Sequence, residues 1–350
     1  MKNESMPNPQ SPSRRQFLQT AAVGAVACAA PQVLTRTPVN AAEREGVMGA
    51  GEHLYEWVDN WAKLPEGKQF GYTHAVLEDK QGRILVHNQG PDSVAVFDPD
   101  GKFITSWGPE YAAGAHGMQL RVEDGVEYLY LAPTGLHKVM KTTIDGELVF
   151  TLEYPKESGA YEKVEQYVPT NIAFGPNGDF YVADGYGQSW IHQYTIKGEY
   201  IRSWGGKGSE PGQMSCPHGI WLDTRGEAPL LVVADRSNVR LQYFTLDGKH
   251  VKFVTDKFLH PCHFDQRGTD LLVPDLFGRV TILDKNNDVI THLGATPDVN
   301  KTKGYPNLPH EQRIPGQFIS PHGATWDRAG NIFVAEWIND GRVTKLRRVS

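Results

Sequence analysis

Cysteine is scarce in this chain, at three residues in 350. That excludes a small scaffold stapled by many disulfides. One of the three is Cys28, near the N-terminus. Cys216 and Cys262 remain, and in an exported protein they could pair, although spacing alone does not decide it. Positive charge is not in excess either. Lys and Arg number 35 against 41 Asp and Glu, the formal net charge is -6 and the pI is near 6.1. The basic footprint of a nucleic-acid-binding domain is missing. Long apolar runs are also missing. The most apolar stretch ends at Ala30 and is too short to span a bilayer as a stable helix. No other stretch is apolar enough to be membranous.

What the N-terminus does have is a paired Arg14-Arg15, then Phe17-Leu18, then small apolar residues to Ala30. This is the pattern of a twin-arginine (Tat) secretion signal, which carries folded proteins out of the cytoplasm to the periplasm or beyond. Residues 1–42 are assigned to it, with cleavage near Ala41 or Ala42. An alternative use of the segment is a lipid anchor on Cys28, because AVAC is a loose lipobox.

The rest is rich in punctuation, with 36 Gly and 23 Pro and 10% aromatic residues. These suit an all-β protein with many turns. Laid on itself, the chain repeats. The stretch GPNGDFYVADGYGQSWIHQYTIKGEYIRSWG (175–205) matches stretches beginning at residues 78, 121, 222, 265 and 326. Each copy has a glycine turn, a β-rich run such as FYVAD, a second turn and an alternating run such as RLQYF, and in four of them a DG or KG turn opens another strand. Period-two alternation between turn residues means antiparallel strands. Six copies of roughly 40–60 residues predict a six-bladed β-propeller over 70–350. The last copy stops after its third strand. Its missing strand is expected from HLYEWVDNWAKL (53–64), within the N-terminal segment 43–69, which would close the ring. Residues 295–319 are expected as a loop between blades 5 and 6.

Histidine recurs at one place in the repeat. Eight residues before the first-turn glycines Gly82, Gly226, Gly268 and Gly330 stand His74, His218, His260 and His322. His116 precedes Gly125 by nine, and only blade 3 differs, with Thr170. The position precedes the strand nearest the axis, so the side chains are expected to converge at one mouth of the channel. Three imidazoles with an open position describe a catalytic zinc site, and imidazole also suits other divalent metals. Five histidines are too many for one such site. His74 and His260 are therefore placed behind the ligands or facing solvent.

The copies resemble NHL repeats, whose core is nearly spelled out by VADRSNVRLQYF (233–244). A closer resemblance runs from AHGMQL through VPTNIAF, VADGYGQSWIHQY, CPHGIWL and VVADRSNVRLQYF to SPHGATWDRAGNIFVAE. This series is similar to the catalytic domain of peptidylglycine amidating lyases. The resemblance implies that His116, His218 and His322 hold zinc, that Tyr186 in DGY is the catalytic acid/base, and that Arg236 in ADR is an active-site arginine. It implies cleavage of a carbinolamide into an amide and glyoxylate. Two departures stand out. Where the family has a further arginine in its first blade, this chain has VHNQGPD, with Asn88 or Gln89. Where the family follows its third zinc histidine with a calcium-binding Asp, this chain has Gly323, which argues against a structural calcium.

The expectation is an exported metal-dependent lyase acting on a small carbinol or hydroxy-acid substrate. Two other readings stay open on sequence. One is a non-catalytic propeller scaffold in the periplasm that binds a protein or carbohydrate. The other is a metal-dependent hydrolase or lactonase. Asp184, Asp235 and Asp275 end equivalent strands and are expected to bond turn amides.

Overall fold

The computed structural model describes residues 46–349. The twin-arginine segment, the cleavage site and Cys28 lie outside the described residues. Six antiparallel sheets succeed one another along the chain. Blades 1 to 5 span 73–107, 117–152, 171–205, 217–254 and 265–293, each with four strands in simple meander order. Short turns link neighbours. Asp124 and Gly125, at φ 49° and 81°, join two strands paired as far as Glu123 and Val126. A two-residue hairpin turn with both residues at positive φ follows the right-handed twist of its strands.

Blade 6 is assembled from both ends of the described chain. Pro321–Trp326, Ile332–Glu336 and Arg342–Arg348 supply three strands, and His53–Val58 pairs with the last of them. The register sets Tyr55 opposite Arg348 and Val58 opposite Lys345. The expected ring-closing strand is present. A further strand, Val47–Ala50, covers its outer edge, so blade 6 has five strands. Sequence alternation had not distinguished that extra strand.

The core lies between blades. Six apolar clusters each draw on two adjacent sheets, including blades 5 with 6 and 6 with 1. Every seam of the ring is therefore sealed, the closing one included. At that seam Phe333 is fully buried and its ring lies 4.8 Å from Trp61. Phe333→Ala is expected to cost about 3–5 kcal/mol, read as a lower urea midpoint at unchanged slope.

Residues 295–319 form the expected loop, with single 3₁₀ turns at Val299–Lys301 and His310–Gln312. Val299, Leu308, Ile319 and Ile338 give it a small core of its own. Tyr305 Oη donates to the Leu276 carbonyl at 2.8 Å, and Asn307 Nδ2 donates to Tyr72 Oη at 3.0 Å. The loop thus ties blade 5 to the entrance of blade 1. Cys216 and Cys262 are not joined by a disulfide. Among the described residues no helix is long and apolar enough to cross a membrane.

Candidate metal centre

The first strands of the blades contact one another around the ring, and their starting residues meet at one mouth. In blades 4 and 6, Pro217 pairs with Asp235 and Pro321 with Glu336, and the ladder register breaks immediately afterwards. His218 and His322 sit in those breaks. Blade 1 repeats the arrangement at His74, after the pair Thr73 and Asn88. An extra residue in a ladder re-aims a side chain out of the sheet. His116 and Thr170 directly precede the first strands of blades 2 and 3.

Blade 5 departs from the sequence expectation. Its bridge joins Pro261 to Asp275, so the equivalent of His218 is Cys262 and not His260. The cause is a short hairpin. Arg267 pairs with Asp270 across two residues, whereas Trp326 pairs with Ile332 and Glu78 with Ile84 across five. Counting back from the turn glycine therefore lands two residues too early. His260 stacks its ring flat on Phe277, at 4.7 Å and 8°, apart from the other histidines.

Alternate blades play alternate parts. His116 Nδ1–H donates to the Thr170 carbonyl at 2.8 Å, His218 Nδ1–H to that of Cys262 at 2.8 Å, and His322 Nδ1–H to that of His74 at 2.9 Å. Each acceptor belongs to the equivalent residue of the next blade. These bonds settle the tautomer of all three rings and leave Nε2 as a lone-pair donor, the state a metal ligand needs. The three ring centroids form a near-equilateral triangle with sides of 4.6, 4.6 and 4.7 Å. Burial, and then the neighbouring rings and Arg236, hold His218 and His322 well below the usual imidazole pKa. Burial pushes His116 down to about 3. All three are neutral at pH 7.

The glycine after each of these histidines is part of the same device. A Cβ on Gly117, Gly219 or Gly323 would stand 2.4, 2.5 or 2.4 Å from the acceptor carbonyl oxygen of the next blade. This His-Gly pairing separates His116, His218 and His322 from His74-Ala75 and His260-Pro261, and it is a signal the sequence carried. It also accounts for Gly323, where an aspartate side chain would collide with the His74 carbonyl. Gly219→Ala is expected to push blade 5 off His218 and lower zinc affinity by about 10–100-fold in calorimetric titration. Gly226→Ala, with nothing nearer than 3.7 Å, is the control expected to bind normally.

Tyr186 and Arg236 reach the same mouth. The Tyr186 hydroxyl lies 3.2 Å from His116 Nε2 and 3.1 Å from His218 Nε2, and accepts from Arg236 Nη1 at 3.3 Å. The Arg236 guanidinium also lies over the Tyr186 ring, 5.2 Å from its centroid. The outer edge of Tyr186 is open to solvent, at 44% exposure, while its hydroxyl is tucked beneath. Burial pushes the phenol up to about 12 against the opposing pull of Arg236. Asp184 accepts from the amides of Val168 and Gln188 at 2.7 and 2.6 Å, which fixes the loop carrying Tyr186. Asp235 accepts from the Ser215 amide and from Arg240 Nε, both at 2.7 Å, and does the same beside Arg236.

His74 faces the cluster and not solvent. It is 3% exposed, with its Nδ1 3.3 Å from His322 Nε2. Since His322 carries its proton on Nδ1, His74 Nδ1–H is the donor there. Gln89 Nε2 in turn donates to His74 Nε2 at 2.9 Å. Gln89 is thus the member of VHNQGPD that reaches the site. Asn88 instead holds the turn, accepting from Gly71 and Gly90. Two overlapping groups place ligand atoms within 4.8 Å of one another, His74–His116–His322 and His218–Cys262–His322. His116 and His218 fall in different groups, with the Tyr186 hydroxyl between their Nε2 atoms, so the expected trio shares His322 but is not itself drawn to that separation. The buried, neutral, pre-oriented nitrogens with a thiol beside them are donors that suit a metal ion. A separate cavity of about 390 Å³ surrounds the far ends of the first strands, lined by Glu78, His263, Asp265 and Arg328 among others, and includes none of these ligands.

No protein-family model matches the chain. It is 28% identical over 298 residues to peptidyl-α-hydroxyglycine α-amidating lyase 1 of Drosophila melanogaster, covering 77% of this chain and 51% of that protein. It is 31% identical over 193 residues to peptidyl-glycine α-amidating monooxygenase A of Xenopus laevis, covering 51% and 20%. Human NHL repeat-containing protein 3 is 28% identical over 205 residues, covering 55% and 57%. The chain spans about half the length of the first of these relatives, and a fifth of the monooxygenase. Among solved structures, a streptogramin B lyase superposes with TM-score 0.56 at 16% identity, covering 84% of this chain and 97% of that one. A gluconolactonase from Xanthomonas campestris gives 0.57 at 13%, covering 89% and 99%. These last two show the shared fold. The chain is a six-bladed β-propeller, similar in sequence to amidating lyases and NHL-repeat proteins.

Proposed function

We propose that this protein is an exported zinc-dependent lyase that cleaves a small carbinol substrate of the α-hydroxyglycine kind. The observation that carries the reading is the Tyr186 hydroxyl, set within 3.2 Å of two imidazole Nε2 atoms and bonded to Arg236. A scaffold has no use for a phenol held between two metal-ready imidazoles.

His116, His218 and His322 would hold the metal, which when bound supplies a Lewis acid for the carbinol oxygen. Tyr186, its own proton released to solvent once a bound metal and Arg236 together favour the phenolate, would take the carbinol proton as the carbon–nitrogen bond breaks and return it to the leaving amide nitrogen, giving amide and aldehyde acid. Arg236 favours the phenolate and pairs with the substrate carboxylate. Gln89 stands in the first blade as a neutral donor. Arg236→Ala is expected to raise KM for the carboxylate substrate by about 10- to 100-fold.

The test is glyoxylate release from α-hydroxyglycine compounds, with and without chelator. Metal-dependent release supports the reading, and its absence with stoichiometric metal bound sinks it. The twin-arginine segment fits the same picture, since Tat export delivers a folded, metal-loaded protein. Lysine at Arg14 and Arg15 is expected to leave the protein in the cytoplasm, as read by cell fractionation.

A further inference from the structure

We propose that Cys262 is a sulfur ligand of the metal centre, in addition to His116, His218 and His322, with the substrate oxygen entering as a fifth ligand. The inference rests on the metal reading of this site and extends it to a residue that sequence comparison of the histidines passes over.

Three repeat positions around the mouth are not followed by glycine: His74, Thr170 and Cys262. Thr170 has spent its hydroxyl on the Ala183 and Pro217 carbonyls, at 3.2 and 3.0 Å. His74 has both ring nitrogens engaged, one with His322 and one with Gln89. To bind a metal through either nitrogen it would have to give up the bond made there. Cys262 has no such commitment. It is fully buried, its Sγ makes a long 3.5 Å contact with the His260 carbonyl, and its other polar neighbour is the Arg236 guanidinium, a donor that leaves the sulfur lone pairs available.

Its placement is fixed independently of that sulfur. The Cys262 carbonyl receives His218 Nδ1–H, and Gly219 packs hard against the same carbonyl. The backbone that orients His218 is therefore the backbone that carries the thiol. The ligand atoms of His218, Cys262 and His322 already lie within 4.8 Å of one another. In a tetrahedral zinc site, with Zn–N of about 2.0–2.1 Å and Zn–S of about 2.3 Å, neighbouring ligand atoms stand about 3.4–3.6 Å apart. Side-chain movements of about an ångström close the set. On binding, the thiol proton leaves to solvent and the sulfur pair goes to the metal. A mixed nitrogen and sulfur set selects zinc over magnesium or calcium.

The experiment is X-ray absorption fine structure on the zinc-loaded full chain, built on Cys28→Ser so that only two thiols remain. One sulfur scatterer at about 2.3 Å is expected in this protein and in Cys216→Ser, and none in Cys262→Ser. The unaltered protein decides the matter even where Cys262→Ser fails to fold. Bound zinc with nitrogen and oxygen alone, at about 2.0–2.1 Å, overturns the sulfur ligand and leaves the lyase reading standing. Sulfur lost in Cys216→Ser and kept in Cys262→Ser overturns it as well. No zinc retained by the folded protein overturns both.

Discussion

Alanine at His218 is expected to remove metal and turnover together and leave a folded propeller. The ring is 1% exposed and donates to the Cys262 carbonyl, while its Nε2 lies open toward Tyr186. Its loss takes away one proposed ligand and two hydrogen bonds, but none of the six apolar seams that hold the ring together. Losing an outer hydrogen-bond partner of a ligand costs about 10–100-fold in affinity, and losing the ligand itself exceeds that. Metal analysis of the purified variant is expected to fall from near one equivalent to background, with near-ultraviolet circular dichroism retained. His260→Ala is the contrast. Its ring stacks on Phe277 away from the cluster, so full metal is expected. Metal kept in His218→Ala and lost in His260→Ala would reverse the assignment.

Phenylalanine at Tyr186 is expected to lower kcat by about 10²- to 10⁴-fold with metal content unchanged. The ring stays in place over His116 and beneath Arg236. Only the hydroxyl goes, and with it the proton carrier. The Arg236→Ala variant provides the complementary pattern, a rise in KM above any loss in kcat. A Tyr186→Phe enzyme of undiminished kcat would show that the proton moves through another group.

The propeller was legible because its grammar repeats. Turn glycines and period-two strands recur six times, with a DG or KG corner in four of the copies, and the truncated sixth copy pointed to a strand before the first. His53–Val58 fills that place. Val47–Ala50 was not legible, since VMGA has neither alternation nor a flanking signal. The convergence of His116, His218 and His322 followed from their equivalent places in the repeat. Cys262 escaped because its hairpin is shorter than those of blades 1 and 6, and a fixed spacing from the glycine assumes constant hairpin length. For His74 the sequence left two places open, behind the ligands or facing solvent, and the structure turns it onto His322. Whether a histidine beside a mouth faces water or its neighbours depends on partners such as Gln89, which no spacing reveals.

The strand pair that joins the two ends of blade 6 sets the order of assembly. Tyr55 takes a hydrogen bond from Trp326 across 271 residues of sequence, and on the side away from Val47–Ala50 its strand pairs with Arg342–Arg348. Contacts so distant in sequence form late. While the chain is still emerging from the ribosome, blades can stack in succession, but the circle stays open and His322 has yet to meet His116 and His218. On the proposed metal reading, a chain stalled before residue 322 would have no full ligand set to fill, and the ion would enter only as the ring shuts.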